Sequence, residues 1–194
     1  MATRVLVLGH SFVRRLWFDI FNGIDPDLIP NLGIQNASVR FLGFSGGNIN
    51  TLLRDNQGRL HTELSNCSPE IVVLQIGGNY VDCLNFNKDS YMEGVRELIS
   101  YLVDVYGVNK VVVCEIFPRF KFREVDFDTY LDLKDQINFG FFVEFFHSPH
   151  VCFWRHREGL MSNHNVFHDD GVHLNLQGTK KFFRSLRGAV LNVM

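Results

Sequence analysis

Residues able to transfer an acyl group between two oxygens stand at opposite ends of this chain. Ser11 follows the apolar run Val5, Leu6, Val7, Leu8 and Gly9, while Asp170 and His173 lie three positions apart near the C-terminus. A hydroxyl can attack a carbonyl, an imidazole can carry the proton, and a carboxylate can hold the ring in the right tautomer. Two further stretches supply what the attack needs next. Ser45, Gly46, Gly47 and Asn48 form a small-residue loop, and Gly77, Gly78 and Asn79 put a side-chain amide after another apolar segment. Backbone and amide N–H groups can hold the negative charge that develops on a carbonyl oxygen. Asp169 sits beside Asp170 and competes for the same role.

Each residue also has a plainer reading. A Ser at a strand-to-helix turn commonly caps the helix. Glycines permit turns with positive φ, and Asn is a frequent turn residue. The chemical reading gains force only if the elements bring these positions together.

Short β-branched runs alternate with amphipathic segments. Residues 5–8, 36–41, 71–76, 111–116 and 151–154 read as strands, the third being Ile-Val-Val-Leu-Gln-Ile after Pro69. Residues 12–21 have helical spacing, with Phe12, Leu16 and Ile20 on one face. Asp89 or Ser90 can cap a helix reaching Tyr106, residues 127–146 read as another, and Asn165 or Asn175 can begin the last, over residues 176–193. This order predicts an α/β domain with a mainly parallel five-stranded sheet, its first strand central and helices on both faces. In such sheets, sites form beyond the carboxyl ends of the strands. Ser11, Gly46 and Asn79 each follow a predicted strand and therefore share one rim.

Composition narrows the function classes. The chain has 194 residues, 46% of them apolar, which fits one domain with a sizeable core. Nineteen basic and 21 acidic residues nearly cancel, so direct nucleic-acid binding is not expected. No stretch has the length of a membrane span, and the opening residues lack a signal peptide's basic start and apolar core. Cys67, Cys83, Cys114 and Cys152 form no C-x-x-C pair and read as thiols in a reducing, cytoplasmic setting. His147, His150, His156, His164 and His168 crowd one stretch but lack metal-ligand spacing, so neither metal nor cofactor is expected. Arg14, Arg15, Arg155 and Arg157 can meet a phosphate or acidic substrate, or stand solvated. Five phenylalanines within residues 139–146 imply a helix buried on most of its circumference, or else an apolar surface for a partner or lipid-like substrate.

The blocks Gly9-His10-Ser11, Ser45-Gly46, Gly78-Asn79 and Asp170-Gly171-Val172-His173 resemble the SGNH (GDSL-type) hydrolase superfamily, in its block order and across nearly the whole chain. The resemblance implies one domain over residues 1–194, a flavodoxin-like three-layer α/β/α fold, and hydrolysis of small acyl, acetyl or lipid esters through an acyl-enzyme. By that analogy Ser11 is the nucleophile, and Asp170 and His173 complete the triad. The Ser11 and Gly46 N–H groups and the Asn79 side chain form the oxyanion hole. Two positions depart from the family pattern: His10 and Tyr80 stand where it usually has supporting aspartates, which touches loop rigidity and rate rather than reaction type. Residues 9–16, 154–157 and 170–175, with Arg184 to Ala189, look like SGNH domains of animal mobile-element proteins, including LINE-type retrotransposons. That implies a module of a larger mobile-element polyprotein. The competing classes are an SGNH scaffold kept as a non-catalytic interaction module, and an acyltransferase.

Overall fold

The computed structural model describes residues 2–55, 58–157 and 159–194. Five strands, β1 (Thr3–Gly9), β2 (Ala37–Gly43), β3 (Ile71–Gln75), β4 (Lys110–Cys114) and β5 (Val151–Trp154), form one sheet in the order β2-β1-β3-β4-β5. Every pairing is parallel. The middle strand is therefore β3, not β1. The chain first adds β2 outside β1, then crosses to the other side of β1 and lays down β3, β4 and β5 in turn. That reversal makes the β1/β3 boundary the topological switch point, where open α/β sheets place their sites.

Alternation along the strands divides the core in two. Leu6, Leu8, Val72, Leu74, Val111 and Val113 face one layer; Val5, Val7, Ile71, Val73, Val112 and Cys114 face the other. The second layer is covered by α1 (Ser11–Phe21) and α7 (Leu176–Leu191), whose Phe12, Val13, Leu16, Phe182 and Leu186 are buried. The first is covered by α2 (Ile49–Arg54), α3 (Arg59–Cys67), α5 (Lys88–Ser100) and α6 (Phe127–Phe145), while α4 (Gly78–Val81) is a single turn after β3. Side-chain caps fix the helix starts. Asn175 Oδ1 accepts the Gly178 N–H at 3.0 Å, and Asp126 Oδ1 accepts the Thr129 N–H at 2.9 Å. Helix α5 is capped by Asn87, two or three residues before the expected Asp89 or Ser90, through the Ser90 N–H at 2.8 Å. A π-helical turn, Tyr101–Val105, continues it.

The aromatic run differs most from expectation. Helix α6 buries Tyr130, Ile137, Phe141 and Phe145, but Phe139, Phe142, Val143 and Phe146 stand exposed. Their i, i+3, i+4, i+7 spacing makes one continuous outer stripe. The helix therefore buries one face rather than most of its circumference. Among the described residues, no helix is long and apolar enough to cross a membrane.

Candidate active site

Strand register determines which groups can meet. Gly9, Gly43 and Gln75 lie level at the ends of β1, β2 and β3, so the loops that follow open onto one rim. Ser11 begins α1 immediately after β1. Gly46 follows β2 with φ of +66°, in the left-handed region that glycine tolerates. Gly77 follows β3 with φ of +117°, and a Cβ there would come within 2.5 Å of Ile116 Cδ1 and 2.8 Å of the Tyr91 hydroxyl. Only glycine lets the chain turn there and deliver Asn79 to the rim.

His173 reaches the rim from the segment between β5 and α7. A short antiparallel bridge, Phe167 to Leu174, closes a turn in which the His168 N–H donates to the His173 carbonyl at 2.7 Å. The Phe120 N–H ties this turn to the β4–α6 loop through the Gly171 carbonyl, also at 2.7 Å. Inside the turn, Asp170 Oδ1 accepts the N–H groups of Val172 at 2.9 Å and His173 at 2.8 Å. Its other oxygen, Oδ2, lies 2.7 Å from His173 Nδ1, and His173 Nε2 lies 3.1 Å from Ser11 Oγ. A Ser–His–Asp hydrogen-bond chain thus spans residues 162 apart in sequence. Partial burial opposes ionisation of Asp170, but the hydrogen bonds from His173 and Val172 outweigh it and hold the carboxyl well below the usual carboxylate range. Asp169, its competitor, is exposed.

The amide of Asn79 is oriented from both sides. Its Nδ2 donates to the Gly47 carbonyl at 2.9 Å, joining the second loop to the third. Its Oδ1 accepts a hydrogen bond from Arg119 Nη2. Arg119 in turn pairs with Asp82 through Nη1 at 3.0 Å, the two side chains being only 2% and 1% exposed. The opposite face of Asp82 accepts the Arg123 N–H at 3.0 Å. With Oδ1 occupied by Arg119, the amide can only present its N–H groups to the rim. One binds Gly47, leaving the other for a ligand.

Sequence reasoning missed this support. Arg119 lies in the segment after β4, so the strand-exit rule applied to β1, β2 and β3 would also have led there. Asp82 supplies a carboxylate two positions after Tyr80, whose ring instead stacks on Tyr91 at 5.4 Å. His10 is buried beside Phe12 with no side-chain hydrogen bond at Nδ1. Burial, and then the charges of Arg119 and His173, push its pKa down to about 3, so the ring is neutral.

The other histidines do not assemble. Among the described residues, no group of three or more His, Cys, Asp or Glu could hold a metal ion. The buried ring of His156 bonds Gln75 Oε1 at 2.7 Å and Ser185 Oγ at 2.8 Å, linking the sheet to α7. Arg155 and Arg157 lie over the rings of Phe142 and Trp154.

A cleft of about 410 Å³ opens over these groups, lined by Ser11, Gly46, Asn79 and His173 together with Arg14, Arg15, Phe18, Ser45, Arg123 and Val172. No residue of α6 contributes, so its aromatic stripe is not a wall of this cleft. The arrangement brings a hydroxyl, a base hydrogen-bonded to it and N–H donors to one concave surface.

No family model matches the chain, and no curated protein matches it. Solved structures do resemble it in fold. A GDSL-like lipase from Bacteroides thetaiotaomicron superposes with a TM-score of 0.69 at 16% identity, over 99% of this chain and 89% of the other. A carbohydrate esterase family 3 protein from Talaromyces cellulolyticus gives 0.65 at 18%, over 99% and 98%. A catalytic mutant of Axe2, an acetylxylan esterase from Geobacillus stearothermophilus, gives 0.62 at 15%, over 98% and 95%. The chain has the α/β fold of these hydrolases.

Proposed function

We propose that this chain is a serine-dependent carboxylic ester hydrolase that acts on small acyl or acetyl esters through an acyl-enzyme on Ser11. The observation that carries this reading is the hydrogen-bond chain from Ser11 Oγ through His173 to Asp170, beside an Asn79 amide held by Arg119. His173 Nε2 takes the Ser11 proton as Oγ attacks the ester carbonyl. The oxyanion is met by the N–H groups of Ser11 and Gly46 and by Asn79 Nδ2. None of these backbone N–H groups makes a hydrogen bond among the described residues, which leaves them available. As the tetrahedral intermediate collapses, the alcohol departs with the proton from His173. Water then repeats the sequence, releasing the acid and restoring the Ser11 hydroxyl.

Further support comes from the fold shared with a lipase, a carbohydrate esterase and an acetylxylan esterase. The cleft volume falls in the ordinary range for small-molecule sites, which suits a small ester. The mobile-element resemblance of residues 154–157 and 170–175 supports placing the domain in a larger polyprotein, and the unpaired thiols Cys67, Cys83, Cys114 and Cys152 support a reducing, cytoplasmic setting. A panel of p-nitrophenyl esters from acetate to palmitate tests the reading. Turnover should be highest for the short esters and vanish in Ser11→Ala. Absence of Ser11-dependent turnover across the panel would overturn it, and a steady rise toward palmitate would replace the short-chain preference with a lipid one.

A further inference from the structure

We propose that the ester taken by this cleft carries an anionic group, a carboxylate, sulfate or phosphate, near the scissile carbonyl; this rests on the hydrolase reading above. Three arginines line the cleft with Ser11 and His173: Arg14 and Arg15 from α1, and Arg123 from the β4–α6 loop. No Asp or Glu lines it among the described residues. The chain as a whole has a net charge of −2, so the cleft reverses the overall sign of charge. Concave surfaces lined by one sign of charge concentrate ligands of the other.

These arginines are not matched by carboxylates. Arg4, Arg40, Arg96 and Arg119 each make an ion pair with a Glu or Asp, whereas Arg14, Arg15 and Arg123 make none among the described residues. Asp19, one turn along α1, feels the charge of Arg15 but forms no ion pair with it among the described residues. Asp170 is engaged by the backbone and ring of His173. Arg14 is also positioned, donating from Nη1 to Ser45 Oγ, the residue before Gly46. The guanidinium therefore sits beside the loop assigned to the oxyanion, and its planar fork suits carboxylate and phosphate oxygens. Phe18 and Val172 supply apolar surface beside the charge, so the fitting ligand is a compact organic anion.

Two matched ester pairs test this, with non-enzymatic rates subtracted and each kcat/KM normalised to the ester's hydroxide rate. One pair is 4-acetoxybenzoate and its methyl ester, which differ by a charge on the alcohol side. The other is mono(4-nitrophenyl) adipate and its methyl ester, which differ on the acyl side. In at least one pair the anionic ester should be favoured about tenfold or more at low salt, and the pair that responds reports which side the arginines face. Raising ionic strength, or replacing Arg14, Arg15 or Arg123 with Gln, should draw that ratio toward one. All three positions are exposed, so these variants should fold. Ser11-dependent turnover with a ratio near one in both pairs would overturn the inference and leave the hydrolase reading standing. A preference that persists in the triple Gln variant would also overturn it. Failure of the chain to hydrolyse any of the four esters would overturn the reading and the inference together.

Discussion

Asn79 and His173 face the same cleft but are held by different means. Below Asn79 lies a buried ion pair, with Arg119 and Asp82 almost wholly removed from water. His173 and Asp170 stand in a surface turn, their side chains 22% and 44% exposed. On the proposed mechanism the first region fixes a group that need not move, an amide aimed at charge formed only after attack; low dielectric strengthens its hydrogen bonds and raises the cost of any missing partner. On the same mechanism the second holds the group that must gain and lose a proton, where full burial would disfavour the charged imidazolium. A substitution in the Arg119–Asp82 region should thus damage the fold along with the chemistry. One in the Asp170–His173 region should damage the chemistry with far less loss of stability.

The largest effect should come from the half-buried side. Ser11→Ala and His173→Ala should each lower kcat by about 10⁴–10⁶, with unfolding free energy lowered by only about 1 kcal/mol, the net worth of a half-buried side-chain hydrogen bond. Esterase assays beside urea titrations check both halves, and a large loss of stability would break the contrast. Asp169→Asn, by comparison, should leave turnover near the parent value.

Next comes Arg119→Met, which leaves Asp82 buried without its partner. It should cost about 3–5 kcal/mol of stability and also lower kcat by freeing the Asn79 amide to rotate. Asp82→Asn in the same chain should recover part of the stability, because the uncompensated charge is then gone. Equal stability of the single and double variants would show that the pair does not act as a unit.

Asn79→Ala should follow, with a fall in kcat of about 10²–10³, or roughly 3–4 kcal/mol of transition-state stabilisation, and little change in KM. Unchanged kcat would mean that the oxyanion is held elsewhere.

The gentlest effect is acid sensitivity from the buried rings. His10 and His156 have pKa values pushed down to about 3, in both cases chiefly by burial. Unfolded histidines protonate near ~6.5, so between those values the folded chain binds fewer protons than the unfolded one. Stability should therefore fall as pH drops through this window, by up to about 1.4 kcal/mol per pH unit for each ring. His10→Asn should flatten the slope measured by denaturation at pH 7, 6 and 5.

The same contrast explains what was legible in the sequence. Ser11, Asp170 and His173 were readable because their geometry is set locally, by a strand exit and by a turn in which Asp170 binds the backbone three residues on. Asn79 was readable because Gly77 and Gly78 announce a special turn after a buried strand. The strand-exit rule points to the segment that holds Arg119, but its pairing with Asp82 was not readable, since the two are 37 residues apart and meet only through the way β3 and β4 lie side by side. The β1 position was misjudged because strand alternation fixes parallel pairing but not the side to which each crossover turns. Helices α2 and α3 escaped notice for being short and polar. In α6, five phenylalanines among eight residues saturate the apolar pattern, so periodicity could reveal a helix but not which face it exposes.

Everything rests on Ser11 as an activated nucleophile. The most direct test is stoichiometric labelling by a fluorophosphonate, read by intact mass and peptide mapping. The folded protein should gain one adduct, on Ser11, and the reaction should be lost in Ser11→Ala and much slowed in His173→Ala. A folded protein that takes up no label, or takes it at another residue while Ser11 stays free, would contradict the account.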